Sequence, residues 1–244
     1  MGERAGGFSG PLGAYATARN IAAEQLVRLP DAVDDATAAA ILLKGATAAM
    51  LVERCARVEP GQTVLVTAAA GGVGHLLVRW LKAVGAVVIG TVSTEPKAAR
   101  VRAAGADHVL LSGEDVAAQV REITAGAGVA VVLDGVGRAT WPAALAATAR
   151  RGLIVSYGNA SGPVEGVALG ALARAGSLFV TRPTLFDYAV TAAERQALAD
   201  RVFAMLASGA IRSEIGQTFA LADAAEAHRA IAAGATQGST VLLP

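Results

Sequence analysis

The sequence predicts an α/β fold, a doubly wound parallel sheet, and three observations carry that expectation. From Thr63 onward short apolar runs alternate with amphipathic segments across short connections, the order of a parallel sheet with crossover helices. The runs, such as Val64-Leu65-Val66 and Val87-Val88-Ile89, are continuously apolar and not alternating, so helices should cover both sheet faces. A glycine-rich turn, Ala68-Ala69-Ala70-Gly71-Gly72-Val73-Gly74, joins the first run to the first amphipathic segment.

Taken in order, strands are expected at Thr63–Thr67, Val87–Thr91, His108–Leu111, Ala130–Asp134, Leu153–Tyr157 and Leu178–Thr181. Helices fall between them at Gly72–Val84, Pro96–Ala104, Val116–Ala125, Thr140–Ala149 and Gly166–Ala173. Six strands make both halves of a Rossmann domain. After Arg182-Pro183 the pattern changes to a long helix near Ala192–Ala207, a strand around Gly216–Ala220, a helix at Ala222–Ala233 and a strand Ser239–Leu243. These are expected to form no further βαβ unit and to belong to a second lobe. Before Pro30 there are β-like pieces, such as Tyr15–Ala23, too few to close a sheet.

The strand, glycine turn and helix around Gly71 set backbone N–H groups and a helix N-terminus against a pyrophosphate. In the G-x-G-x-x-G pattern Ala69 stands at the first glycine, Gly71 at the second and Gly74 at the third. Gly71 lets the main chain approach phosphates, and Gly74 lets the helix pack on its strand. Ala70, Gly71, Gly72, Val73 and Gly74 are therefore the expected pyrophosphate holders. At the end of the second strand an NAD site places an Asp or Glu on the ribose diol. Here Ser93, Thr94 and Lys97 occupy that region. A hydroxyl and an ammonium suit a 2′-phosphate, which a carboxylate would repel, so NADP(H) is the expected cofactor, with Glu95 as the complication.

Composition narrows the class. Apolar residues make 54% and charged residues 17% of the 244-residue chain, a core-forming balance. Net charge is +1, with 21 basic and 20 acidic residues interspersed, so nucleic acid is not expected as the main partner. Apolar stretches are interrupted before membrane-spanning length and the start lacks a secretory h-region, which predicts a cytoplasmic protein with no membrane partner. One cysteine, Cys55, and three scattered histidines, His75, His108 and His228, supply no zinc-ligand cluster, so no metal is expected.

The ordered set Leu12-Gly13-Ala14-Tyr15-Ala16, Leu43-Lys44-Gly45-Ala46-Thr47, Ala68–Gly74, Gly90-Thr91-Val92-Ser93 through Lys97, Asp134-Gly135-Val136-Gly137-Arg138, Ser156-Tyr157-Gly158-Asn159, Thr181-Arg182-Pro183 and Thr236-Gln237-Gly238-Ser239 resembles NADPH-dependent quinone oxidoreductases, the zeta-crystallin-like, zinc-independent branch of the medium-chain dehydrogenases. The resemblance covers essentially the whole chain. It implies a Rossmann domain with the remainder of a GroES-like catalytic domain: residues 1–35 as its C-terminal remnant, 36–183 as the NADP-binding domain and 184–244 as its C-terminal part. It also implies that most of the N-terminal GroES-like domain carried by family members is missing from this sequence.

The resemblance further implies hydride transfer from NADPH to a quinone or enone, in a homodimer paired through the strand near Leu178–Thr181. It assigns Thr47, near the start of the helix entering the nucleotide domain, to the nicotinamide ribose or ring. Tyr157, Gly158 and Asn159, after the fifth strand, are assigned to the cofactor crevice, with a packed aromatic as the other reading of Tyr157. Neither the acceptor nor a catalytic acid is identified: Tyr188, Arg182 and Asp187 have only their location near the junction to recommend them.

Rival chemistries lack their residues. A short-chain dehydrogenase needs Tyr-x-x-x-Lys, whereas Tyr15, Tyr157 and Tyr188 are followed at that spacing by Arg19, Ser161 and Ala192. The alternative that stands is a truncated, catalytically deficient NADP-binding module.

Overall fold

The computed structural model describes residues 2–244. They form two compact units, one made of the segment ending at Ala49 together with Leu185–Pro244, the other of Met50–Thr184. The helix Asp35–Ala49, placed by sequence at the head of the nucleotide-binding domain, groups with the first unit.

The first unit opens with two short strands, β1 (Ala5–Gly6) and β2 (Val27–Arg28), paired antiparallel. Tyr15–Ala23 forms no strand, because no neighbouring strand offers it a ladder of hydrogen bonds. Helix α1 (Asp35–Ala49) starts where Asp34 caps it, accepting the Thr37 N–H at 2.8 Å. It runs on as a wider π-helical stretch over Met50–Cys55. Asp35–Cys55 has the length and composition to cross a membrane, yet 61% of its apolar window is buried inside the protein, as in a core helix.

The second unit is the doubly wound sheet. Its elements alternate as β3 (Thr63–Val66), α2 (Gly72–Val84), β4 (Val87–Val92), α3 (Glu95–Ala103), β5 (His108–Leu111), α4 (Val116–Ile123), β6 (Val129–Asp134), α5 (Trp141–Ala147), β7 (Thr148–Ser156), α6 (Leu169–Arg174) and β8 (Phe179–Thr181). All six strands are parallel, in the order β5-β4-β3-β6-β7-β8. Strand order reverses between β3 and β6, the switch point where such sheets take ligands. Leu65, Ile89, Val132 and Ile154 pack with Val120 of α4 and with Ala144 and Ala147 of α5 in one core. Each fully buried Leu or Ile contributes about 1.5–3 kcal/mol. Thus β7 begins at Thr148, earlier than the expected Leu153: the chain leaves α5 extended, and the strand is irregular where Arg151 takes a φ of +60°. Gly166, with φ +66°, is non-helical, so α6 starts later than expected.

The chain then completes the first unit with α7 (Ala192–Ala207), β9 (Ile215–Ala220), α8 (Ala224–Ala232) and β10 (Ser239–Leu243). Thr191 and Glu194 form a capping box that fixes the start of α7. Contrary to the sequence expectation, β9 and β10 pair in parallel across α8 and make a further βαβ unit. The connection is long enough to carry a helix, which permits a parallel return. Ser239 at the start of β10 ties it to α1: its Oγ donates to the Ala40 carbonyl at 3.1 Å and accepts from Lys44 Nζ at 2.8 Å. Burial holds the Lys44 ammonium below its ordinary pKa.

Candidate functional site: the C-terminal rim of the sheet

The site lies in the second unit, where the C-terminal ends of β3, β4, β6 and β7 meet. After β3 the chain turns through Ala68, whose φ of +48° is left-handed, and the Gly71 N–H donates to the Ala68 carbonyl at 2.8 Å. The residue that takes the special conformation is Ala68, one before Ala69, the position matched to the first glycine. Ala69 is instead buried and pinned to β4, its N–H donating to the Thr91 carbonyl at 2.9 Å.

Gly71 is the N-cap of α2 and supplies no side-chain cap, and the first turn holds no acidic residue. The leading N–H groups of a helix have no intrahelical partner, so this end presents donors and a positive dipole toward the rim. Ala70, Gly71, Gly72 and Val73 are exposed or half-buried there, while Gly74 is buried. The two motif glycines differ in purpose. A Cβ on Gly74 would lie 2.3 Å from the Ala68 oxygen, an intrachain clash; a Cβ on Gly71 would meet one protein atom, that same oxygen, at 3.1 Å. Gly71 also has an ordinary φ of −71°. Its lack of a side chain is thus barely demanded by the protein and leaves open space at the helix end.

At the end of β4, Lys97 Nζ donates to Ser93 Oγ at 3.0 Å, and both side chains are exposed. Glu95, the complication in the sequence, pairs with Arg102 of its own helix at 2.5 Å. The hydroxyl and ammonium therefore stand together with the carboxylate engaged elsewhere.

Tyr157, Gly158 and Asn159 follow β7. The Tyr157 and Gly158 N–H groups donate to the Asp134 carbonyl at 2.8 and 3.3 Å. The Tyr157 ring covers Gly135, where a Cβ would lie 2.8 Å from its hydroxyl. Burial first, and then the charge of Asp134, raise the Tyr157 pKa above its ordinary value of 10.0, so its phenol keeps its proton at neutral pH. Thr47 belongs to the first unit. It lies late in α1 and not near the helix start, because Asp34 caps that helix well upstream; its Oγ1 donates to the Leu43 carbonyl at 2.8 Å. Sequence reasoning assigned no role to Thr67 or Asp134, which join these loops, although Asp134 opens one of the quoted motifs; two buried polar residues ending adjacent strands were the available signal.

With this geometry in view, the comparisons with known proteins are direct. Residues 72–208 match the zinc-binding dehydrogenase family. The quinone oxidoreductase of Pseudomonas aeruginosa is 50% identical over 100% of this chain and 75% of that protein. The chain belongs to the quinone oxidoreductase family. Among solved structures of this family, the Pseudomonas syringae quinone oxidoreductase superposes with a TM-score of 0.96 at 48% identity, over 100% of this chain and 75% of that one. The Escherichia coli quinone oxidoreductase, solved in complex with NADPH, gives 0.95 at 43% identity over 100% and 76%. The zinc named in the wider family's description does not fit this chain's donors. No group of three or more His, Cys, Asp or Glu able to hold a metal ion exists among the described residues.

Proposed function

We propose that this chain binds NADP(H) on the rim of its parallel sheet and uses it to reduce a quinone or related conjugated carbonyl. The observation that carries the reading is Gly71: an uncapped helix N-terminus kept clear of side chains where the fold itself scarcely requires it. The N–H groups of Gly72, Val73 and Gly74 would hold the pyrophosphate, with the backbone of Ala70 and the side-chain-free Gly71, whose own N–H is engaged by Ala68, lying against it. Ser93 and Lys97 would take the 2′-phosphate by charge-assisted hydrogen bonds. Tyr157, Gly158 and Asn159 would line the crevice toward the nicotinamide, with Thr47 directed to its ribose or ring. When bound, NADPH supplies a hydride from the nicotinamide C4, and the protein supplies orientation and electrostatics. The NADPH complex of the Escherichia coli relative and the quinone oxidoreductase relatives support cofactor and substrate class alike.

In this reading residues 36–183 serve as the NADP-binding domain, flanked by catalytic-domain portions at 1–35 and 184–244, in a cytoplasmic homodimer. Support for association comes from β8, an edge strand whose Phe179 is 64% exposed. The test is a fluorescence titration with NADPH and NADH, followed by NADPH oxidation at 340 nm with 1,4-benzoquinone. Saturable, preferential NADPH binding with quinone-dependent oxidation is expected; absence of NADPH binding overturns the proposal.

A further inference from the structure

Asp134 ends β6 with 0% of its surface exposed. Its carboxylate oxygens lie 2.6 Å from Thr67 Oγ1, 2.8 Å from Thr140 Oγ1 and 3.1 Å from the N–H groups of both Val136 and Gly137. Among the described residues it makes no ion pair. Burying a carboxylate carries a desolvation cost even when it is well hydrogen-bonded, and apolar replacements of buried ionic groups are often neutral or stabilising. Core packing alone therefore gives little reason for an acid here.

What this acid does is organise backbone. Thr67 Oγ1, which donates to Asp134, also accepts the Gly135 N–H at 3.0 Å. One carboxylate and one hydroxyl thus hold three successive N–H groups, those of Gly135, Val136 and Gly137. The main-chain carbonyl of Asp134 holds the next loop through the N–H groups of Tyr157 and Gly158. The loops are then joined directly, with the Ser161 N–H donating to the Val136 carbonyl at 2.8 Å and the Arg138 N–H to the Gly162 carbonyl at 3.0 Å. Thr67 immediately precedes Ala68, the left-handed residue that begins the phosphate turn.

We propose that Asp134 is a positioning residue for the dinucleotide: through Thr67 and the Gly135–Gly137 backbone it presets the loops beyond β3, β6 and β7 before any ligand arrives. The inference rests on the NADP(H) reading. Its physical content is preorganisation, since loops already ordered lose less conformational entropy on binding. Asp134→Asn places an amide donor where an acceptor is needed, and Thr67→Val removes the hydroxyl while keeping its shape.

The experiment measures NADPH dissociation constants and thermal midpoints for wild type, Asp134→Asn, Thr67→Val, Thr67→Ser and the Asp134→Asn/Thr67→Val double variant. Asp134→Asn and Thr67→Val should each weaken NADPH binding at least tenfold. Serine, which restores the hydroxyl, should recover the affinity that valine loses. The double variant should lose little more than the worse single one, as expected for groups acting as a unit. Hydrogen exchange of the 135–137 amides in wild type should be slow without NADPH, a readout that holds even if a variant fails to fold. Variants that lose thermal stability yet bind NADPH as wild type does, additive losses, or rapid exchange of those amides in the free protein would each overturn the proposal. Failure of wild type to bind NADPH would instead overturn the functional reading on which it rests.

Discussion

Gly74 faces the carbonyl oxygen of Ala68 across a gap that admits a hydrogen and no carbon: a Cβ at 74 would stand 2.3 Å from that oxygen and 2.9 Å from the Ala69 Cα. The contact sets α2 hard against the end of β3 and so decides where the helix N-terminus points. Three residues earlier Gly71 meets the same oxygen at 3.1 Å, a separation that a slight adjustment relieves. One glycine serves the fold and the other serves the space beyond it.

Gly71→Val and Gly74→Ala should therefore fail in opposite ways. Gly71→Val should keep a near-native thermal midpoint and lose NADPH binding, because the new side chain enters the space at the helix end. Gly74→Ala should destabilise the protein by about 1–3 kcal/mol or more through overpacking against backbone. Calorimetry paired with an NADPH titration separates them, and a Gly71→Val protein that binds normally would remove the phosphate site from this turn.

Lys97→Ala should weaken NADPH binding by roughly tenfold to a hundredfold, the scale of a lost charge-assisted hydrogen bond, and change NADH binding little. The expectation follows from the 3.0 Å Lys97–Ser93 bond and from Glu95 being engaged with Arg102. Equal losses for both cofactors in parallel titrations would contradict the 2′-phosphate role.

Acid stability should depend on Asp107. Burial pushes its carboxyl up, but the Lys82 ammonium at 2.8 Å and the Val88 N–H at 2.7 Å outweigh it, and its pKa is lowered from 3.8. A carboxyl whose pKa is lower folded than unfolded stabilises above the unfolded value and loses that contribution as pH falls through the folded one. Asp107→Asn should cost about 1 kcal/mol at pH 7, and the difference from wild type should shrink below about pH 4. Thermal unfolding from pH 2 to 7 checks the sign: a gap that widens in acid would contradict it.

Phe179→Lys should shift a dimer toward monomer, since a lysine on the exposed edge of β8 opposes strand-to-strand pairing. Light scattering across a concentration series reads the mass. Wild type that is monomeric at every concentration would dismiss the homodimer.

Local pattern made much of this protein legible. The sequence alone places α2 at Gly72–Val84, α7 at Ala192–Ala207 and β10 at Ser239–Leu243, with the observed bounds, because their signals are short-range: a glycine before and after α2, a Thr-x-x-Glu box opening α7, an apolar run for β10. Two chemical cues that each lie within a single segment, Gly71 beside a helix start and Ser93 four residues from Lys97, are readable for the same reason.

What tertiary structure decided was every relation between segments distant in sequence. The parallel return of β10 onto β9 depends on strand pairing across a helix, which no local period encodes. The assignment of the left-handed turn residue to Ala68 and not Ala69 depends on Ala69 being pinned to Thr91 of the neighbouring strand. Thr67 and Asp134 meet across a sequence separation of 67 residues at 2.6 Å, and their pairing exists because β3 and β6 lie side by side at the switch point. A sequence states which hydrogen-bonding groups a chain carries, whereas only the packed strands determine which of them are buried together and must satisfy one another.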